Sequence, residues 1–284
     1  MQELVNGLAQ GSVYSLTAMG LVLIFSVVRV PNFAHGEAVM FGGMLTLMSV
    51  TSFGLPLLPA ILLGVVVATA FGLVLSVGVF SRVKDKSEIG QLMISMAIVV
   101  IVGAAAIQLW GDEARTVPGA PSMTFLVAGA YVPVTWAIII AAALLAAIGL
   151  ELFVRQTTAG RVMRAMSLRP DAAKLMGIPV DYYQAMAFAI GSGLAGLAGG
   201  LYVMAFPAQA SMGHIMSLKS FVVIIFAGMG SISGAFFGGL LLGLVESFGG
   251  SFLSSGYTNS FGFVLLLAVL LLKPNGLFGG RSNA

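Results

Sequence analysis

Long apolar runs recur along almost the whole of this 284-residue sequence, and each is enough to carry a helix across ~30 Å of hydrocarbon. The runs fall at 4–28, 33–50, 57–80, 90–110, 131–152, 184–206 and 258–272, with a composite region at 218–250. Only 8% of the residues are charged, against ~25% in a soluble domain, so a water-soluble fold is excluded. A membrane β-barrel is excluded as well, because its strands alternate apolar and polar residues over ~10 positions. The expectation is an all-α, polytopic membrane protein of about eight transmembrane helices in one domain, 1–284. The start of the sequence has no basic n-region and carries Glu3 instead, so the first apolar run reads as a retained helix. Cysteine is absent, which removes thiol chemistry, disulfides and cysteine-based metal sites.

Charge placement sets the topology. Arg82, Lys84 and Lys86 share one loop, five basic residues fall in 155–174, and Lys273 and Arg281 follow the last run. These are ten of the thirteen Lys and Arg residues, and the positive-inside rule makes all three regions cytoplasmic. The net charge of +3 therefore reports orientation in a bilayer and gives no case for nucleic acid. Counting crossings from the second basic loop, 218–250 must begin and end outside. It reads either as two short spans or as a re-entrant hairpin turning near Gly230 to Gly234, because 220–230 alone is too short to cross. Broken helices at that depth are tolerated only when buried in protein or lining a cavity. A weak echo links Phe33…Met44 with Phe221…Met229, in opposite directions, as an inverted repeat would have it. Trp110, Tyr131, Trp136, Tyr182, Tyr183, Tyr202 and Tyr257 fall near span ends, as interfacial aromatics do.

Glycines keep helical spacing at Gly7 and Gly11, at Gly193, Gly196 and Gly200, and at Gly234, Gly238, Gly239 and Gly243. Small residues so spaced let helix backbones approach where lipid supplies no hydrophobic drive. Packing within the subunit is favoured over a dimer seam.

Residues 155–183 are the one long stretch suited to water. Thr157 or Thr158 caps a first short helix through Arg161, Arg164 and Met166. Pro170 and Asp171 open a second, and Gly177 stops it, giving a compact helix over 170–176. On composition alone, this loop either lies on anionic lipid or docks a soluble partner.

The loop also carries a resemblance. Asp171-Ala172-Ala173 followed by Gly177 is similar to the Glu-Ala-Ala-x-x-x-Gly motif of ATP-binding cassette importer permeases. Gly160-Arg161-x-x-Arg164-Ala165, then Asp171-Ala172 and Gly177-Ile178, resembles more narrowly the branched-chain amino acid (Liv-type) permease family. So do Asn32-Phe33-Ala34-His35-Gly36-Glu37, Lys219-x-Phe221, Gly228-x-Gly230-Ser231-Ile232-x-Gly234-Ala235, Gly238-Gly239, and Lys273-Pro274-x-Gly276-Leu277-Phe278-Gly279. The Ile-x-Leu-Pro element that continues the wider motif in other importer permeases is not found. The resemblance implies a permease in a prokaryotic cytoplasmic membrane, with its C-terminus cytoplasmic. It implies a second, homologous permease subunit, two cytoplasmic ATPases and a periplasmic or extracellular solute-binding protein. Gly160, Arg161, Arg164, Ala165, Asp171, Ala172 and Gly177 would couple the ATPases to the gate. No Gly-Lys pair occurs, so no phosphate-cradling loop is present, and ATP would bind the partner subunits. No other cofactor is expected.

Asn32, His35, Glu37, Lys219 and Glu246 lie in or beside apolar stretches, where a charge costs roughly 2.5–3.5 kcal/mol on insertion scales. They are candidates for a substrate pathway, with buried ion pairs or fixed irregular backbone as the structural alternative. For His35 and Glu37, which follow Pro31, the structural role is favoured. Lys219 is expected at the outer mouth of 218–250. No Ser/His/Asp arrangement, HExxH or metal-ligand cluster is present, so no catalysis and no metal site are expected. An ion-coupled transporter or channel is the alternative function.

Overall fold

The computed structural model describes every residue except 84–86, 122, 128, 169, 229, 253–254, 274–275 and 279–284, together with all side chains but those of residues 127, 170–172 and 255. Lys84, Lys86, Arg169, Met229, Pro274, Gly279 and Arg281 thus lie outside the described residues. The chain is mostly helical. Helices α1 (Gln2–Val28), α4 (Glu88–Trp110), α5 (Val134–Gln156), α8 (Val180–Ala205) and α10 (Ile232–Phe252) are each long and apolar enough to cross a membrane. So is α3 (Leu57–Leu73) with its π-helical continuation Val74–Phe80. Helices α2 (His35–Phe53), α9 (Met212–Ala227) and α11 (Thr258–Leu272) are shorter. The loop holds α6 (Thr158–Leu168) and α7 (Pro170–Leu175).

Helices suit this chain because each satisfies its own backbone groups where no water is available. Hydroxyls inside them follow the same economy: Ser12, Ser15 and Thr17 donate to the carbonyls of Leu8, Gly11 and Val13 at 2.7–3.0 Å. With such groups satisfied, α1 becomes the central, almost wholly buried helix, while α4 and α5 turn most of their surface outward.

Glycines decide which helices touch. A Cβ at Gly7 or Gly11 would lie 2.8 Å from the Cα of Leu244 or Leu240, and one at Gly243 would lie 2.3 Å from the nitrogen of Gly11, so α1 and α10 pack backbone to backbone. Gly42 on α2 and Gly196 on α8 form a second such seam. Gly193 packs toward Thr69, Gly200 toward Ile61, and Gly234 and Gly238 toward residues 231, 278, 223 and 227. The helically spaced glycines therefore serve packing within the chain.

Two ends of the bundle are defined by contacts. At one, Gln2 exchanges hydrogen bonds with the backbone of Tyr131 in the hairpin β1 (Thr124–Val127) and β2 (Ala130–Pro133), and Ser247 binds Glu3. Arg115 and Ala208 bridge their backbones in the loops at this hairpin end. At the other, Arg29 donates to the carbonyls of Ser167 and Leu168, and residues 230–233 face the 155–168 segment across a cavity of about 320 Å³. Leu277 and Phe278 donate to the carbonyls of Phe226 and Ala227 at 2.7 and 2.9 Å, strapping the segment after α11 to this loop end.

Several expected spans are corrected. The run 33–50 becomes helical only at His35, and that helix does not start level with the end of α1. His35 hydrogen-bonds the carbonyl of Thr17, so α2 starts about 16 Å back along α1 from Val28, at 1.5 Å per residue. Arg29 in the left-handed conformation ends α1, and residues 29–34 return to that depth without a helix. Such backbone survives because protein surrounds it. The composite region opens earlier than expected, at Met212, and divides into a short helix and a full-length one with the turn where it was placed. The run 131–152 begins three residues late as a helix, because the apolar residues 130–133 form a strand.

Candidate functional site

The polar side chains inside the bundle fall into two groups. In the first, Lys219 of α9 donates to both carboxylate oxygens of Glu246 of α10 at 2.5 and 2.6 Å. Tyr14 of α1 donates to Glu246 Oε2 at 2.8 Å and accepts from Gln10 at 2.6 Å. The Lys219 ammonium also sits 4.9 Å from the centre of the Tyr14 ring, within cation–π range. Glu246 is 1% exposed and Lys219 8%. Three helices are thus joined by one network of opposite charges, without which either charge would be prohibitively buried. Lys219 is accordingly not at an outer mouth. It is in the middle of α9, and the sequence distance to Glu246 hid its partner. A cavity of about 370 Å³ reaches this network from the hairpin end, lined among others by Glu3, Asn6, Gln10, Trp136, Phe206 and Glu246.

The second group is the irregular entry to α2. Asn32 Oδ1 accepts from Ala34 nitrogen at 3.1 Å and so shapes the turn into the helix. Ser217 of α9 donates to the Phe33 carbonyl and accepts from Gly36 nitrogen at 3.3 Å, while Phe33 stacks on Phe221 at 4.2 Å. The Glu37 carboxylate rests on Gly213, where a Cβ would come within 2.7 Å of Oε2. Gly213 lies in the first turn of α9, where exposed amides and the helix dipole favour an anion. His35 Nδ1 and Glu37 Oε2 are buried with no hydrogen-bond partner among the described residues. The entry to α2 therefore runs antiparallel to α9, with Phe33 against Phe221 and Glu37 against Gly213. His35 and Glu37 stand apart from the Lys219/Glu246 network, so the five pathway candidates do not form one site.

At the loop end, Thr157 Oγ1 caps α6 by accepting from Gly160 nitrogen at 3.0 Å. Gly160 packs against α5, where a Cβ would fall 2.4 Å from the Phe153 carbonyl, and Met163 and Met166 are buried behind it. Arg164 donates to the Arg155 carbonyl at 3.3 Å, and Arg161 to Thr158. Both guanidinium groups and Ala165 face outward. Asp171 and Ala172 lie within α7, their side chains outside the described set. Gly177 has φ +78°, the left-handed stop read from the sequence. Leu175 is 89% exposed and Met176 82%, so the end of α7 presents apolar surface outward.

Tyr14 and Gln10 escaped the sequence reading. The i, i+4 pair Gln10/Tyr14 on an otherwise apolar helix was the available signal.

A family model described as branched-chain amino acid transport system / permease component matches residues 3–272. The chain is 29% identical over 297 residues to the high-affinity branched-chain amino acid transport system permease protein BraD of Pseudomonas aeruginosa, covering 98% of this chain and 95% of that one. It is 28% identical over 293 residues to LivH of Escherichia coli K12, with the same coverage. A probable LivH of Methanocaldococcus jannaschii is 26% identical over 281 residues, 93% of this chain and 88% of the other. Among solved structures, PsaBC from Streptococcus pneumoniae in complex with Fab aligns over 97% of this chain and 93% of that chain, with TM-score 0.52 and 15% identity, a likeness of fold.

Proposed function

This chain belongs to the branched-chain amino acid transport permease family, and from that premise we propose how it works within an importer. It is the transmembrane permease subunit of an ATP-binding cassette importer for branched-chain amino acids or a related small polar solute. It offers a path through the membrane and performs no chemistry itself. Separate ATPase subunits bind ATP and drive the gate. We assign the loop end to the cytoplasm, because the basic residues of 155–174 gather there. The hairpin end then faces outward, and we count nine crossings from that orientation. The return 29–34 with α2 counts as one, and α9 and α10 as two. The whole of 1–284 acts as one permease domain, with the C-terminus inside. A second, homologous permease, two ATPases and an outer solute-binding protein complete the assembly.

The observation that carries this reading is the combination of a fixed base and an exposed apolar tip at the loop. Gly160 and the Arg29 hydrogen bonds tie α6 to α5 and α1, while Leu175 and Met176 extend outward uncovered. A helix lying on lipid would need no such rigid seat, whereas a push from an ATPase can reach the bundle only through one. Arg161, Arg164, Asp171 and Gly177 then couple hydrolysis to gating. The buried network and the entry to α2 flank the substrate path. Co-expression with a second permease, the ATPases and a solute-binding protein should yield a complex containing two nucleotide-binding subunits. In proteoliposomes it should take up leucine only with ATP inside and binding protein outside. Uptake by the permease alone, driven by an ion gradient, would instead show a secondary transporter.

A further inference from the structure

We infer that Lys219 and Glu246 form a subsite for a zwitterion at the floor of the outer cavity: when α9 and α10 part there, Lys219 takes the carboxylate of an amino acid and Glu246 its ammonium. The inference rests on the transport reading and deepens it by naming the groups that recognise the cargo.

The two charges stand on different helices, so a displacement of one helix opens the pair without breaking a backbone hydrogen bond. The hinge for that displacement is at the far end, where Gly228 and Gly230 both have φ +103°. The cavity above the pair is of the size of small-molecule sites, which begin near ~300 Å³, and Glu246 and Gln10 are part of its wall. Trp136 and Phe206 supply apolar surface beside the charges, suited to an aliphatic side chain. Tyr14 keeps Glu246 oriented, because its 2.8 Å hydrogen bond does not depend on Lys219.

Selectivity follows from the cost of unpaired charge. A buried ion left without its partner is strongly unfavourable, so the pair opens only to a ligand that replaces both charges at once. An amino acid carries the two on one carbon. A simple cation or anion compensates one and strands the other, and a site with a stranded polar group rejects such an analogue.

The test uses the assembled importer and three probes of equal skeleton: leucine, leucinamide, which lacks the carboxylate, and isocaproate, which lacks the ammonium. Trp136 fluorescence reports the cavity, and its contribution is isolated by difference from a Trp136→Phe complex. Leucine should perturb Trp136 at concentrations at least ~10-fold below either analogue. The doubly uncharged variant K219M/E246L should still co-purify with its ATPases, yet take up leucine at least ~10-fold more slowly. Equal responses to all three probes, no response to leucine, or near-normal leucine uptake by the double variant would each overturn the subsite. Absence of any ATP-driven uptake by the unaltered complex, with a selective Trp136 response intact, would instead refute the transport reading and leave the subsite standing.

Discussion

Gly199→Val should remove most of the folded protein from the membrane. A Cβ at Gly199 would lie 1.9 Å from the Val39 carbonyl and 2.7 Å from the Gly43 nitrogen, so α8 must move away from α2. Ordinary overpacking costs ~1–3 kcal/mol, and a clash with backbone rather than with a yielding side chain belongs at or beyond the top of that range. The seam cannot relax outward, because Gly196 on the same helix is pressed against Val65 and Ala68 of α3. Gly103→Val is the control, since nothing lies within 4 Å of a Cβ there. Size-exclusion profiles in detergent should show the control as a monodisperse peak of normal height and Gly199→Val as aggregate or nothing. A normal peak for Gly199→Val would mean that α2 and α8 are not in backbone contact.

The second large effect concerns the buried pair. Lys219→Met leaves Glu246 charged and 1% exposed, and Glu246→Leu strands the ammonium instead. Breaking a buried pair in this way costs roughly 3–5 kcal/mol, whereas replacing both partners by apolar groups is often close to neutral. Each single variant should therefore melt far below the unaltered protein, and the double variant should recover most of the loss. Tyr14→Phe should cost less, about 2 kcal/mol, because it removes the hydrogen bonds to Glu246 and from Gln10 but keeps the ring over Lys219. A thermal double-mutant cycle reads the coupling directly. If the two single losses simply add in the double variant, the charges do not interact as described.

How far the sequence foretold this arrangement depends on the range of the determining interaction. Spans, the turn near Gly230 and the stop at Gly177 were legible because run length, glycine and proline act within a few residues. The cap at Thr157 was legible for the same reason. The depth at which α2 begins was not, since it rests on His35 meeting Thr17 across two helices. Lys219 was singled out as costly but misplaced, because its partner is 27 residues away and both flanks are apolar. Tyr14 was passed over because one tyrosine in an apolar helix reads as packing until Glu246 is seen opposite. The second strand of the hairpin looked like the start of a span from residue 131, because it is apolar and runs directly into α5.

The claim that this permease answers to an ATPase through 155–183 is tested most directly by the Asp171→Arg variant of the assembled importer. Asp171 opens α7, where an acid complements the helix dipole and a cation opposes it. Assembly of the membrane subunits should be unchanged. The stimulation of ATP hydrolysis by loaded binding protein, present in the unaltered complex, should disappear. Full stimulation in the Asp171→Arg complex would contradict the account, because the loop would then not be the path by which the two events are joined.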